Sequence, residues 1–390
     1  TEDNSFSLSH GFLPDHDPYF CTDRRDSNQA WLHCAMELPK ILGLTETREI
    51  IGALPAYNLN ALQANTITET LRRHEQAMVT LSFLAHAYVW CDTESPASSL
   101  PSKLALPWYR IANQLGRPPV LSYASYALYN WRRLDANKPI ELGNICLLQN
   151  FLGGLDEEWF ILIHVDIEAK AIPALQALEP LVHAAEQNKL DQMHDQLQII
   201  EAALHNINAT MDRMPEKCDP HIYYNRVRPY IHGWKDNPAL PNGLLYEGVE
   251  EYANQPMRFK GETGAQSTIV PCLDAVLGIT HEDNPLRQHL DEMRDYMPPE
   301  HVLFLQHLEH LPSIRETVLK TNDVSLKSRY NQCVSLLHYF RTAHFRYAAD
   351  YINKQSPTSV ANPADAGTGG TPFMQYLKKH LDETEQHLLE

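Results

Sequence analysis

Residues 335–352 read SLLHYFRTAHFRYAADYI and are the segment that decides the fold. On a helix, the positions one and two turns from His344 share its face, and all of them are apolar or aromatic: Leu337, Phe340, Tyr347, Ala348 and Tyr351. A neutral imidazole held by a rigid helix over an apolar slot is typical of a haem iron ligand. Arg341, one turn earlier, could reach an anionic group of that cofactor. The pattern is also typical of a core histidine bonded to a backbone carbonyl, so both interpretations stay open.

Working outward, composition limits the possible ligands. The chain has 390 residues, with 49 Asp plus Glu against 32 Lys plus Arg, and a net charge of −17. A surface of this sign repels nucleic acid and anionic membranes, so we expect neither as a partner. The length suffices for two domains, and a small molecule is the expected ligand.

The seven cysteines are spread along the chain and contain no CxxC pair. That spacing argues against a disulfide framework and a zinc ribbon, and suits a reducing compartment. The first residues show neither a basic segment followed by an apolar one nor a run long enough to cross a membrane. We therefore expect a cytoplasmic protein.

Hydrophobic periodicity predicts a mainly α-helical protein without convincing β-strands or internal repeats. Pro173 and Pro180 are expected to break a long helical stretch, and Gly153-Gly154 is the expected joint between a smaller N-terminal domain, residues 1–152, and a large helical domain, residues 153–390. The polar, Gly- and Pro-rich segment 353–371 is predicted to be a mobile loop. The predicted helices cover residues 58–90, 122–133, 156–204, 219–232, 269–277, 284–296, 299–308, 324–353 and the C-terminus.

Three further sequence patterns could indicate a metal, phosphate or substrate site. His301, His307 and His310 lack the spacing of a zinc site and are interpreted as helix residues. The sequence GTGGT, residues 367–371, has no following Lys and is better explained as a flexible loop than as a phosphate loop. In HIYYNRVRPYIHGWK, residues 221–235, two tyrosines beside Arg228 would suit an aromatic ring and a carboxylate, although an ordinary helix explains them equally well.

Taken together, these blocks resemble the indoleamine 2,3-dioxygenase family. The residues that carry the resemblance lie in family order and span most of the chain: PPVLSYASYALYNWRRLDANKP (118–139), RPYIHGWKDNPALPNGLLYEGV (228–249), FKGETGAQSTIVPCLDAVLGI (259–279), MRDYMPPEHVLFL (293–305), FRTAHF (340–345) and GTGGTPFMQYL (367–377). The resemblance implies a haem b enzyme in which a small N-terminal domain covers a large helical haem-binding domain.

The resemblance also assigns roles residue by residue. It implies that His344 is the proximal iron ligand, that Arg341 lies near a haem propionate, and that Asp274 pairs with this arginine. The remaining positions concern the substrate: Arg228 for its carboxylate, Tyr223 and Tyr224 around the indole, Tyr123 in the distal pocket, Thr263 and Gly264 in a small-residue loop over the haem, and Thr371 for the ammonium group.

Three positions depart from the family pattern. Tyr223 and Tyr224 stand where phenylalanine is usual, and Tyr126 replaces a smaller residue, which predicts a narrower inner pocket. On the distal side, one alignment register places Leu162 over the iron and another places His164. We favour His164, because a polar group in the apolar run WFILIHV needs a partner or a purpose.

The implied reaction inserts both atoms of O2 across the indole C2–C3 bond of L-tryptophan on ferrous haem. The product is N-formylkynurenine, which places the enzyme in tryptophan catabolism by the kynurenine pathway. A monomer is expected. Two alternatives stay open: a haem enzyme of the same fold that oxidises another indole, and a non-catalytic haem-binding or gas-sensing protein.

Overall fold

The computed structural model describes residues 6–20, 26–283, 285–368, 370 and 372–389. Helices dominate these residues, as the periodicity predicts. They are α1 (Gln29–Met36), α2 (Leu38–Ile41), α3 (Thr47–Gly52), α4 (Ile67–Trp90), α5 (Ser102–Leu115), α6 (Leu155–Glu186), α7 (Leu190–Asp212), α8 (Pro220–Ile222), α9 (Ile269–Leu277), α10 (Pro285–Met293), α11 (Pro299–His310), α12 (Arg315–Lys320), α13 (Val324–Ala348) and α14 (Met374–Glu385). None of the helices in these ranges combines the length and the apolar character needed to span a membrane.

In the described part of the chain, four short strands form two separate two-stranded sheets, which the sequence did not reveal. Strand β1 (Ser99–Leu100) runs parallel to β4 (Leu245–Tyr246), and β2 (Trp131–Arg133) pairs antiparallel with β3 (Ile145–Leu147). The predicted helix over 122–133 is therefore wrong beyond residue 128. The Asn130 side chain donates to the carbonyls of Tyr126 and Gln149 and so ties the end of the helical turn to the strand region.

Helix α6 continues through both prolines that were expected to break it. Pro173 and Pro180 lie on the exposed face, where water can bind the carbonyl that each proline leaves without an N–H partner. The opposite face is buried against α7 through residues such as Leu178 and Leu197. Burial of this face outweighs the local cost of two prolines, and the helix ends only at Glu186.

Three turns of π-helix lie at Ala124–Leu128, Tyr223–Val227 and Ala349–Asn353. Each directly follows helical residues, and each contains at least one buried tyrosine. A π-turn holds one more residue than an α-turn, and such turns are frequent at functional sites.

Buried apolar side chains form two clusters. The first gathers α1, α3, α4 and α5 with residues 231–249, and the second gathers α6, α7, α9, α11 and α13. Helix α6 serves both, because Leu162 belongs to the first cluster and Ile163 to the second. The joint itself is fixed by Glu157, whose carboxylate accepts the N–H groups of residues 151–153. A domain boundary at residue 152 stays a prediction.

Candidate functional site

An internal cavity of about 340 Å³ lies among α6, α7, α9, α13, α14 and residues 262–267. Its walls are mainly apolar and aromatic. Of the residues singled out in the sequence, the following line it: Tyr123, His164, Tyr223, Thr263, Gly264, Asp274, Arg341 and His344. Tyr126, Tyr224 and Arg228 lie behind this wall, and Thr371 lies outside the described residues.

His344 lies on α13 and lines the cavity, and part of its surface stays accessible. No side chain or backbone group in the described ranges forms a hydrogen bond with its ring. Burial lowers the pKa of His344 to about 4, with smaller effects from the charges of His164 and Arg341. The imidazole is therefore neutral near pH 7, with a lone pair available for a metal.

His164 projects from α6 into the same cavity, whereas Leu162 packs in the first core cluster. The Nδ1 atom of His164 lies 2.7 Å from the carbonyl oxygen of Phe160, which fixes Nδ1 as the protonated nitrogen. Burial lowers the pKa of His164, against a smaller opposing effect of that hydrogen bond. The neutral ring consequently keeps the lone pair of Nε2 as an acceptor.

Arg341 is held by the predicted ion pair with Asp274, at 2.5 Å between Nη2 and Oδ2. Its other terminal nitrogen donates to Thr384 Oγ1 of α14 at 2.8 Å. Burial alone would raise the pKa of Asp274, but the charge of Arg341 and the bonds from Arg341 and His281 hold it below its usual value. The guanidinium is thus fixed at the cavity edge.

A second layer surrounds this ion pair. His281 lies 2.6 Å from a Glu383 carboxylate oxygen and 3.2 Å from Asp274, and its ring stacks on that of His380 at 4.0 Å. His281, His380 and Glu383 could each offer one atom to a metal within a span of 4.8 Å. However, both nitrogens of His281 already face carboxylates, so we interpret the group as a charge network around Arg341.

Tyr123 is anchored at both ends. Its N–H donates to Gln266 Oε1 and its hydroxyl to Glu168 Oε1, each at 2.8 Å. Glu168 also accepts the hydroxyl of Ser267, yet burial raises its pKa to about 7. Tyr126 is equally buried, and its hydroxyl has no hydrogen-bond partner within the described ranges.

Arg228 is fully buried and turned towards the segment 362–366. Its terminal nitrogens donate to Asn362 Oδ1, to the carbonyl of Pro363 at 2.7 Å and to the carbonyl of Ala366. Tyr224 packs against the guanidinium at 5.4 Å and donates its hydroxyl to the carbonyl of Asn362. This part of the predicted mobile loop is therefore tied down by polar rather than apolar contacts.

Glu262 is a cavity residue that sequence reasoning missed. Its side chain is 3% exposed, and its carboxyl has no hydrogen bond or ion pair to the rest of the described chain. Burial raises the pKa of Glu262 to about 8. The sequence pattern that could have indicated Glu262 is a single acidic residue in the small-residue loop GETGAQ, where Thr263 and Gly264 alone were predicted as site residues.

The backbone around Glu262 is set by two glycines. A Cβ on either Gly233 or Gly261 would collide with the backbone of the other segment, so both positions require glycine for this close approach. Gly264 differs, because a Cβ there would meet no atom within 4 Å.

Comparison with protein-family models matches residues 1–387 to the family described as Indoleamine 2,3-dioxygenase. The chain belongs to the indoleamine 2,3-dioxygenase family. It is similar to indoleamine 2,3-dioxygenase 1 of Rattus norvegicus, with 35% identity over 95% of this chain and 92% of the relative. Indoleamine 2,3-dioxygenase 2 of Homo sapiens shares 32% identity over 100% and 95%. A protein named Myoglobin from Haliotis madaka shares 30% over 93% and 92%.

Family membership confirms several expectations drawn from the sequence. The mainly helical fold is that of an indoleamine 2,3-dioxygenase family member, and the predicted enzyme class, a haem-dependent oxidoreductase of the dioxygenase type, is confirmed.

Proposed function

We propose that this chain converts L-tryptophan to N-formylkynurenine by inserting both atoms of O2 across the indole C2–C3 bond, with haem b as cofactor. The observation that supports this most is the arrangement of two neutral histidines on one mainly apolar cavity. His344 offers an unpartnered imidazole, and His164 lies close enough for its charge to lower the pKa of His344. This reaction would place the protein in the kynurenine pathway.

The residues present fit a haem. His344 would ligate the iron, because its neutral ring faces the cavity without a competing hydrogen bond. Arg341, fixed by Asp274 at the cavity edge, would hold a propionate. When bound, ferrous haem supplies the binding and activation of O2.

The protein's own contribution is to place the indole and exclude water. Phe160 and Tyr223 contact each other at 4.6 Å between ring centroids, and Phe160 also packs against His164 at 4.9 Å. Together they give the indole an aromatic wall. Since His164 Nδ1 donates to the Phe160 carbonyl, Nε2 accepts, and the indole N–H is the donor that suits it.

Arg228 is the candidate for the substrate carboxylate. Its guanidinium contacts only neutral oxygens, and no carboxylate in the described ranges lies within ion-pair distance. Burial lowers the pKa of Arg228, as expected for a buried guanidinium with no carboxylate beside it. A substrate carboxylate would supply the missing counterion in a bidentate geometry.

Absorbance spectroscopy and product analysis test this proposal. The purified holoprotein should hold about one haem per chain and convert L-tryptophan under O2 to N-formylkynurenine. His344→Ala should lose the haem, whereas His338→Ala, on the same helix but away from the cavity, should retain it. Full haem occupancy in His344→Ala would exclude that residue as the ligand.

The relative named Myoglobin favours a second candidate, an oxygen-binding haem protein without turnover. The two functions differ in what tryptophan does to the oxygenated ferrous protein. A dioxygenase consumes the complex and forms product, whereas an oxygen carrier leaves it unchanged. Single-turnover absorbance with and without L-tryptophan separates them.

A further inference from the structure

Two ionisable groups near the cavity, one acidic and one basic, lack a partner of opposite sign within the described chain. Glu262 faces the cavity with no cation, and Arg228 lies behind the wall with no carboxylate. Both act on the same hydroxyl: the charge of Arg228 lowers the pKa of Tyr223 and that of Glu262 raises it. Within the described chain they form no ion pair with each other.

The segment 362–368 connects the two groups. Arg228 donates to Asn362 and Ala366 at one end of it, and Thr368 at the other end donates its hydroxyl to the backbone carbonyl of Glu262. Gly367 and Thr368 also line the cavity. A ligand at this edge would thus meet Glu262 beside the strip of chain that also holds the buried Arg228.

We propose that Glu262 binds the ammonium group of the substrate, so that Glu262 and Arg228 together select an indole that carries both an ammonium and a carboxylate group. This inference rests on the proposed function and adds one residue, Glu262, to the contacts that distinguish tryptophan from indoles without an ammonium group.

Electrostatics favours this assignment over a structural role. A buried carboxyl without a partner is costly, and the fold commonly supplies donors, as it does for Glu157. Tyr123, Tyr126 and Tyr223 are the titratable groups on which the charge of Glu262 acts, and none of them donates to it. An ammonium group would supply both the charge and the hydrogen bonds that the carboxyl lacks.

Ligand titrations of the ferric holoprotein, followed by absorbance, test the inference. The ligands are L-tryptophan, tryptamine, indole-3-propionate and indole, and the variant is Glu262→Gln, which removes the charge and keeps the shape. Tryptophan and tryptamine, which carry the ammonium, should bind 10- to 100-fold more weakly, on the order expected for a desolvated charge pair. Indole-3-propionate and indole should bind within about twofold of the wild type, since a single neutral contact contributes little.

Asp365→Asn is the matched control. Asp365 is also acidic and acts on Arg228, but its side chain is exposed and does not line the cavity. This variant should bind all four ligands with about wild-type affinity, because exposed charges are screened by solvent.

Calorimetry gives a readout that does not depend on turnover. Because the pKa of Glu262 is about 8, the carboxyl is mostly protonated at pH 7, and pairing with an ammonium group would release its proton. Titrations in two buffers of different ionisation enthalpy should show release of close to one proton with tryptophan and tryptamine. Indole-3-propionate should release none, and Glu262→Gln should abolish the release.

The outcomes separate this inference from the proposed function. If Glu262→Gln binds all four ligands as the wild type does, the ammonium assignment is wrong while indole binding stands. An equal loss for all four ligands would likewise overturn it, in favour of a structural role. If the wild type binds no indole at all, the proposed function fails and the inference fails with it.

Discussion

Arg341 and Arg228 are both buried arginines beside the same cavity, yet their surroundings differ in one respect. Arg341 contacts the carboxylate of Asp274 and is backed by His281 and Glu383. Arg228 donates hydrogen bonds only to an amide oxygen and two backbone carbonyls, and the Nε atom of its guanidinium has no hydrogen-bond partner within the described ranges. The chain neutralises the first guanidinium and leaves the second positive.

The difference distinguishes two uses of a buried charge. A paired charge fixes geometry, because removal of one partner leaves the other buried and unpaired. An unpaired charge is costly in the free protein and becomes favourable when a ligand supplies the counterion. Glu262 is the acidic equivalent of Arg228, because it too is buried without a partner of opposite charge in the described chain. Substitutions at the cavity test the difference between paired and unpaired buried groups.

The largest effect is expected from Arg341→Ala. It leaves the buried Asp274 without its guanidinium, so the free energy of unfolding should fall by about 3–5 kcal/mol. Asp274 has a lowered pKa, so its contribution is present above the ordinary Asp pKa and is lost as pH falls below about 4. Urea denaturation at pH 7 and at acidic pH should show the deficit shrinking in acid.

Arg346→Ala is the control on the same helix, because this side chain is 56% exposed and lies 3.8 Å from Asp212. Its effect on stability should stay below about 0.5 kcal/mol. Equal losses in the two variants would mean that the Arg341 pair has no special structural role.

Arg228→Ala is expected to act mainly on binding. Loss of the guanidinium should weaken L-tryptophan by about 2–4 kcal/mol, the range for removing one partner of a buried charge pair. Indole, which has no carboxylate, should lose much less. Arg226→Ala is the comparison, because the Arg226 side chain lies two residues away and is exposed. In spectral titrations with L-tryptophan, Arg228→Ala should bind much more weakly than Arg226→Ala.

Glu262→Gln should change the pH dependence of stability. The pKa of Glu262 is raised from its ordinary value of 4.5 to about 8, so the native state holds the proton more tightly than the unfolded state. The free energy of unfolding of the wild type therefore falls between about pH 4.5 and 8, and the glutamine variant lacks this term. Thermal melts across this pH range should show that the free energy of unfolding of the variant increases relative to that of the wild type, by on the order of 1–3 kcal/mol. A constant difference would show that Glu262 is not buried unpaired.

His164→Ala should have the smallest effect. Nδ1 of His164 already bonds to the Phe160 carbonyl, so only Nε2 remains for the substrate. Loss of one acceptor should weaken tryptophan by about 0.5–1.5 kcal/mol. Because burial lowers the pKa of His164, its titration should not shape the pH profile of turnover near neutrality. The carbon-monoxide stretch of the ferrous complex should shift in this variant; an unchanged frequency would remove His164 from the distal position.

Local pattern was a good guide where a single helix decides the outcome. The face around His344 and the helix over 269–277 follow from periodicity, and the pair of Asp274 with Arg341 followed from the family resemblance. The segment 122–133 failed because tertiary pairing with residues 145–147 outweighs its helical pattern. The breaks at Pro173 and Pro180 failed because exposure of both rings could not be deduced from sequence spacing alone.

The unpredicted parts of the site depend on contacts between distant segments. His281 approaches Arg341 across 60 residues of sequence, and Glu383 meets His281 across 102, and no spacing rule reveals such meetings. Whether Glu262 has a partner depends likewise on the folded chain, because an acidic residue in a loop is ordinarily solvated.

The three π-turns of the described chain each contain or directly follow a tyrosine that lines the cavity: Tyr123, Tyr223 and Tyr351. Deletion of one residue from such a turn would restore an α-turn and rotate every side chain beyond it by about 100°. The number of residues in each π-turn therefore determines which side chains line this pocket, independently of what those residues are. Relatives that differ by a single insertion or deletion in these turns would present different residues to the same cavity without a single substitution.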